Sequence, residues 1–218
     1  MAAYADAAGP DGGSCGGEPV HGARLRFPPG SLVMLTGLPG AGKTTLLRRL
    51  YGQDVESRPV TAGTTVVIDS AQARRQWDDR LTWAPYRVRR VFIFATHVRG
   101  IRRALAGGHA VIAHQRGCGR HVLHAFALLA RLHGASLHLL LLDAPADEAL
   151  AGQVTRGRVV PPRTFARHRR RWESLLARVK NGDPAPASGA RVIDRAEAGL
   201  LEAIVFDDSR AAAPPRVE

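Results

Sequence analysis

Hydrophobic residues along the chain fall into two kinds of run. Short unbroken ones occupy residues 31–36, 64–69, 110–115, 136–143 and 191–194. Continuous apolar runs of this length predict strands buried on both faces. Between them lie longer segments of helical period. Residues 43–51 form the first, and in the second Val88, Val91, Phe92, Ala95, Val98, Ile101 and Leu105 recur every three or four positions, the spacing that lines one face of a helix. Residues 121–133, 146–155 and 164–179 predict three more helices. Strands alternating with helices require crossover connections, so the pattern predicts an α/β class with a five-stranded, mainly parallel sheet between helical layers, three layers in all.

The ends of the chain lack either period. Residues 1–24 are rich in Ala and Gly, and residues 209–218 carry Ala211, Ala212, Ala213, Pro214 and Pro215; they read as a disordered leader and tail flanking one domain over 25–208. A chain of 218 residues buries enough surface to fold without disulfide or metal staples. Cys15 and Cys118 stand far apart, with no Cys-x-x-Cys or His/Cys cluster, which disfavours a disulfide framework and a structural zinc site. No apolar run approaches the ~20 residues that cross a bilayer. A soluble protein of the reducing cytoplasm, with no membrane partner, is expected.

Charge changes this picture only in part. The chain has 31 basic and 19 acidic residues, a formal net charge of +12, yet Lys43 and Lys180 are its only lysines. An arginine skew of this kind reads as coding bias first. The excess still favours anionic partners: nucleotide, phosphorylated small molecule or nucleic acid.

The strongest local signal is the run Gly37, Leu38, Pro39, Gly40, Ala41, Gly42, Lys43, Thr44, which fits GxxxxGK[ST]. It follows the apolar segment Leu32, Val33, Met34, Leu35 and leads straight into Thr45, Leu46 and Leu47, the strand–loop–helix context of a phosphate-binding loop. Glycines let backbone N–H groups converge on phosphate without Cβ clashes, the helix start adds partial positive charge, and the lysine reaches the terminal phosphates. Residues 37–45 are therefore the candidate nucleotide cradle, with the Thr44 hydroxyl directed to Mg²⁺. Lysine at 43 is telling in an arginine-using chain, since a compact ammonium fits where a planar guanidinium does not. The sole asparagine, Asn181, is followed by Gly182, so the Asn-Lys-x-Asp guanine motif is missing and ATP is the expected nucleotide. The fold expected is that of a P-loop NTPase.

Phosphoryl transfer needs a group to hold the metal or take the acceptor's proton. Asp69 ends the strand Val66, Val67, Ile68, on the carboxyl edge where ligands of open α/β sheets bind. It reads either as that group, a catalytic base and metal ligand, or as the N-cap of a helix starting at Ser70 or Ala71. Arg74 and Arg75 follow one turn later, as acceptor ligands or a solvated face. The third strand ends in His114, where many P-loop ATPases carry an acidic residue; Arg116 and Arg120 flank Gly117, Cys118 and Gly119 beside it, and Cys118 reads as inert. Arg156 and Arg158, around Gly157 and before Pro161, read as a short arginine-bearing lid that closes on the γ-phosphate. Arg167, His168, Arg169, Arg170 and Arg171, beside Phe165 and Trp172, read as a solvated face or a nucleic-acid patch.

In this order of parts the chain resembles, from about residue 32 to 206, the P-loop kinases related to polynucleotide kinases and zeta toxins, the AAA-type ATP-binding proteins of actinobacteria. The resemblance implies ATP-dependent transfer to a hydroxyl, with Asp69 as base and the Arg156 to Arg158 segment as lid. It does not extend to ring-forming AAA+ machines, since no strand ends in Asp-Glu and there is no room for their helical domain. Three functions stay open on the residues alone. The first is a kinase acting on a small or nucleoside-like hydroxyl acceptor, the second an ATP-dependent binding switch with slow or no turnover, and the third a kinase of 5′-hydroxyl nucleic acid, which is possible but not favoured. The acceptor pocket would be built from loops at 55–63, 76–87 and around Arg116.

Overall fold

The computed structural model describes residues 23–114, 119–155, 157 and 159–207. Arg116, Cys118, Arg156 and Arg158 lie outside the described residues, as do most of the expected leader and all of the expected tail.

The central strand β2 (Leu32–Gly37) forms where the apolar run is unbroken; Leu32, Val33, Met34 and Leu35 are all buried. It lies between β5 (Ala110–His114) and β6 (Leu137–Leu142) and pairs parallel with both. β4 (Thr65–Asp69) continues the sheet beyond β5, and β7 (Gly189–Ile193) continues it beyond β6, again in parallel. These are the five expected strands. A sixth, β3 (Val60–Ala62), adds to the edge in antiparallel fashion against β4, giving the order β3-β4-β5-β2-β6-β7. Its half-polar sequence carries no apolar run, which is why it escapes a hydrophobicity reading.

A second, two-stranded parallel sheet joins the two ends of the described chain: β1 (Ala23–Phe27) pairs with β8 (Leu201–Phe206). β1 begins two residues inside the span expected as leader. Arg24 and Arg26 interrupt its apolar pattern, while Phe27, Leu201 and Ile204 are buried.

Neighbouring residues on a strand face opposite ways, and this sets the two helical layers. A Cβ added to Gly100, in α3 (Tyr86–Ala106), would sit 3.8 Å from Ile68 Cδ1, so α3 covers the Ile68 face. The next residue, Asp69, turns to the other face and meets α1 (Lys43–Tyr51). Between β4 and α3 runs α2 (Ser70–Asp78), and α4 (Arg120–Leu132) links β5 to β6. α5 (Ala146–Val154) and α6 (Pro162–Lys180) separate β6 from β7. Asp194, expected as the end of a strand, instead caps α7 (Arg195–Leu200) in a capping box with Glu197.

α3 departs most from its pattern. Its apolar stripe is real, but only His97, Ile101, Ala104 and Leu105 are buried, and Val88, Val91 and Phe92 are exposed. A helix of 21 residues is ~31 Å long, whereas the five-residue strands beside it span only ~17 Å. α3 runs antiparallel to β5, which follows it, so its N-terminal half rises above the carboxyl edge of the sheet.

Candidate active site

The phosphate loop closes on itself. Lys43 Nζ donates to the carbonyls of Gly37 and Leu38 at 2.9 and 2.7 Å, and no side chain caps the start of α1, so the helix N-terminus faces the loop. α5 holds the loop from outside by backbone-to-backbone contact. Gly40 has φ +93°, and a Cβ on it would meet the Ala149 carbonyl oxygen at 1.9 Å; a Cβ on Gly152 would meet the Gly40 carbonyl oxygen at 2.6 Å. Only glycine fits either position without displacing the other chain.

Gln153, which the sequence pattern does not single out, completes this clamp. Its buried side chain donates from Nε2 to the Pro39 carbonyl at 2.9 Å and accepts from Val160 N–H at 2.8 Å. It thus ties the phosphate loop to the far end of the segment that carries Arg156 and Arg158.

Beside the loop, Asp69 gathers three donors. Its Oδ1 accepts from Ala71 N–H at 2.7 Å, the N-cap of α2; its Oδ2 accepts from His114 Nδ1–H at 2.9 Å and, more loosely, from Thr44 Oγ1 at 3.4 Å. The two readings of Asp69 are therefore not exclusive, because one carboxylate oxygen caps the helix while the other faces α1 and β5. β4 and β5 pair Asp69 directly opposite His114, so both strand ends reach the carboxyl edge together.

Burial pushes the Asp69 carboxyl upward, but the His114 charge and hydrogen bond, the Ala71 N–H and more distantly His97 outweigh it and hold the pKa at about 2. The group stays ionised at neutral pH. On the remaining side, His114 Nε2 and Ser70 Oγ are buried with no partner among the described residues.

Thr44 Oγ1 and Asp69 Oδ2 are hard oxygen donors a hydrogen bond apart, next to a phosphate loop. That fits Mg²⁺, which takes one or two protein oxygens and completes its shell with phosphate and water. No group of three or more His, Cys, Asp or Glu forms a metal cage among the described residues, as expected for a metal held mainly by nucleotide.

Other candidates separate from this cluster. Arg75 turns to Glu56 at 3.7 Å. Arg74 is half-buried, with Nε unpaired among the described residues. Arg120 begins α4 and is exposed.

With this geometry in place the comparisons are decisive for family. The sequence matches the AAA domain family over residues 32–181. The chain belongs to that family. No curated protein sequence matches it. Among solved structures, a chain of the PezAT chromosomal toxin–antitoxin system of Streptococcus pneumoniae is 16% identical, with 82% of this chain and 73% of that chain covered and a TM-score of 0.56. A chain of the Pnkp1/Rnl/Hen1 RNA repair complex is 18% identical at TM-score 0.53, covering 70% of this chain but 46% of that one, so the AAA domain protein spans less than half of that relative. A candidate kinase from Chloroflexus aurantiacus is 17% identical, with 75% and 84% covered and a TM-score of 0.50. Identities this low establish the shared fold, that of a P-loop kinase, and no more. Among the described residues no helix is long and apolar enough to cross a membrane.

Proposed function

We propose that this AAA domain protein is an ATP-dependent phosphotransferase that moves the γ-phosphoryl group to a hydroxyl of a small or nucleoside-like acceptor. The observation that carries the reading is the meeting of Thr44, Asp69 and His114 at the carboxyl edge, beside the loop closed by Lys43. Gly37, Leu38, Pro39, Gly40, Ala41, Gly42 and Thr45 supply backbone around the phosphates, and Lys43 moves from its two carbonyls to the β and γ oxygens. Thr44 and Asp69 hold Mg²⁺, which when bound neutralises charge on those phosphates.

In the transfer, the acceptor oxygen bonds to the γ-phosphorus as the bridging P–O bond breaks; ADP leaves with that electron pair, and the hydroxyl proton passes to Asp69. A carboxylate held near pKa 2 is a weak base, so its main work is to orient the hydroxyl. A loose phosphoryl transfer, which depends mostly on positioning and charge, tolerates this. Arg156 and Arg158 close over the transferring group.

The test is ATP consumption against a panel of hydroxyl metabolites and 5′-hydroxyl oligonucleotides, with Lys43→Ala as control. Acceptor-dependent ADP release that Lys43→Ala abolishes is the expected result. Tight ATP binding with no acceptor turned over would leave the binding-switch reading in its place.

A further inference from the structure

The arginine run on α6 is more ordered than a solvated face. Phe165, Trp172 and Leu175 are buried and mark the inward stripe of the helix. His168 lies on that stripe, one turn from both Phe165 and Trp172, and is half-buried. Arg167 and Arg171, one turn apart, flank it. On α3, Arg90 precedes the buried His97 by seven residues, two helical turns, and so projects from the same face, in the half that overhangs the sheet's carboxyl edge.

These groups come together. After burial, which is the larger cause, the charges of Arg167, Arg171, Lys43 and Arg90 press the His168 pKa down. Cations from α1, α3 and α6 therefore surround one imidazole at the mouth of the phosphate loop.

Their neighbours in sequence behave differently. Arg89 faces Asp78 at 4.0 Å, and Arg169 bonds Glu173 at 2.7 Å. Arg90, Arg167 and Arg171 meet no carboxylate among the described residues. Like charges drawn together without a counter-ion repel, and an anion relieves that repulsion. ATP's phosphates are served by the loop amides and Lys43. Arg90, by contrast, stands on the wall reached directly from Asp69 through α2, the side from which an acceptor approaches.

We propose that Arg90, Arg167 and Arg171 bind an oxyanion carried by the acceptor, which is a small hydroxyl compound bearing its own phosphate or carboxylate. A half-buried cluster next to the phosphate loop suits one compact anion better than a polyanion laid across a surface. The inference rests on the phosphotransferase reading for its acceptor, but the anion site can be tested without turnover.

The probe is inorganic phosphate, titrated calorimetrically into protein saturated with Mg²⁺ and a non-hydrolysable ATP analogue. One saturable site is expected, weakened at least tenfold in Arg90→Gln and in Arg171→Gln. Affinity for the analogue should stay within twofold, and Arg169→Gln should change neither. Absence of a saturable site, variants that bind phosphate normally, or variants that lose the analogue instead would each overturn the proposal.

Turnover then separates it from the reading beneath it. Glycerol 3-phosphate and glycerate, compared with glycerol, and ribose 5-phosphate, compared with ribose, form the panel, with a 5′-hydroxyl oligonucleotide alongside. Anionic acceptors should be preferred at least tenfold in kcat/KM, with the loss in Arg90→Gln falling on KM. Neutral polyols used equally well would remove the anion site and leave the phosphotransferase. A strong phosphate site with no acceptor phosphorylated would do the reverse. Preference for the oligonucleotide over every small anion would overturn the small acceptor.

Discussion

At the scale of single residues, Asp69 carries the most consequences. Its folded pKa of about 2 lies below the ordinary 3.8, so its ionisation contributes stability that is fully present above pH ~4 and is lost as pH falls toward 2. Asp69→Asn forfeits that contribution, on the order of 2 kcal/mol, but keeps a side chain able to cap α2. Asp69→Ala also loses the cap and should cost ~1 kcal/mol more. Urea unfolding at pH 7 reads both. Acceptor phosphorylation should fall at least ~100-fold in either variant, and the Mg²⁺ dependence of nucleotide affinity should flatten; a merely structural Asp69 would leave that dependence as it is. Gly152→Ala tests the clamp behind the loop. Its Cβ would sit 2.6 Å from the Gly40 carbonyl, a backbone atom that cannot step aside, so calorimetry should show nucleotide affinity lowered roughly tenfold, equivalent to ~1.4 kcal/mol. Sequence alone exposes the first of these residues and hides the second. Asp69 is visible because an apolar strand ending in a carboxylate is an uncommon pattern. Gly152 and Gln153 act on backbone atoms more than a hundred positions away in the chain, Gly40 and Pro39, and nothing in their own neighbourhood announces it.

At the scale of elements, periodicity names the face of α3 but not its height on the sheet. The stripe from Val88 to Leu105 is one face of one helix; which half of it finds a core depends on strand lengths that lie elsewhere in the chain. The same limit hides the cluster on α6, because a run of arginines reads alike whether it faces solvent or a phosphate loop, and only the buried Phe165 and Trp172 fix its rotation. His97 marks the turning point of α3, the first buried residue on the way down. It is 2% exposed, neither ring nitrogen has a partner among the described residues, and burial first, then the His114 charge, lower its pKa from 6.5 to about 4 despite the opposing charge of Asp69. A buried histidine kept neutral binds its proton more weakly folded than unfolded. Its contribution is therefore complete above pH ~6.5 and drains away as pH falls toward 4, a loss on the order of 3 kcal/mol. Urea midpoints taken between pH 7 and 4 should show this slope, and His97→Leu should flatten it while leaving the lower window of Asp69 in place. A slope unchanged in His97→Leu would assign the acid sensitivity to another group.

At the scale of the whole molecule, the chain is closed by its ends. The parallel sheet and phosphate loop are legible because each is written in one continuous stretch. The β1–β8 pair is not, since β1 alternates with Arg24 and Arg26, β8 carries the exposed Glu202, and each strand is apolar only toward the other's side of the fold. Yet this pair covers one layer: the Phe27 ring packs against His138 of β6 at 5.8 Å and against Phe206 at 6.2 Å. Arg49 of α1 reaches across to the carbonyls of Ala198, Gly199 and Leu201, where α7 gives way to β8, so the helix that leaves the phosphate loop is anchored to the last strand. Removing residues 201–218 takes away the buried Leu201 and Ile204, worth ~2 kcal/mol each, and uncovers Phe27. A total near 5 kcal/mol lowers the melting temperature by ~10–20 °C in a protein of this size. The Asp69, His114 and Thr44 contacts involve none of the deleted residues, so at low temperature the truncated protein should still bind Mg²⁺–ATP. Calorimetric scans with and without saturating nucleotide check both halves. A truncation that melts like the full chain would show that β8 is not part of the fold's support, and one that folds but binds no nucleotide would show that the phosphate loop takes its shape from the closing strand rather than from α5.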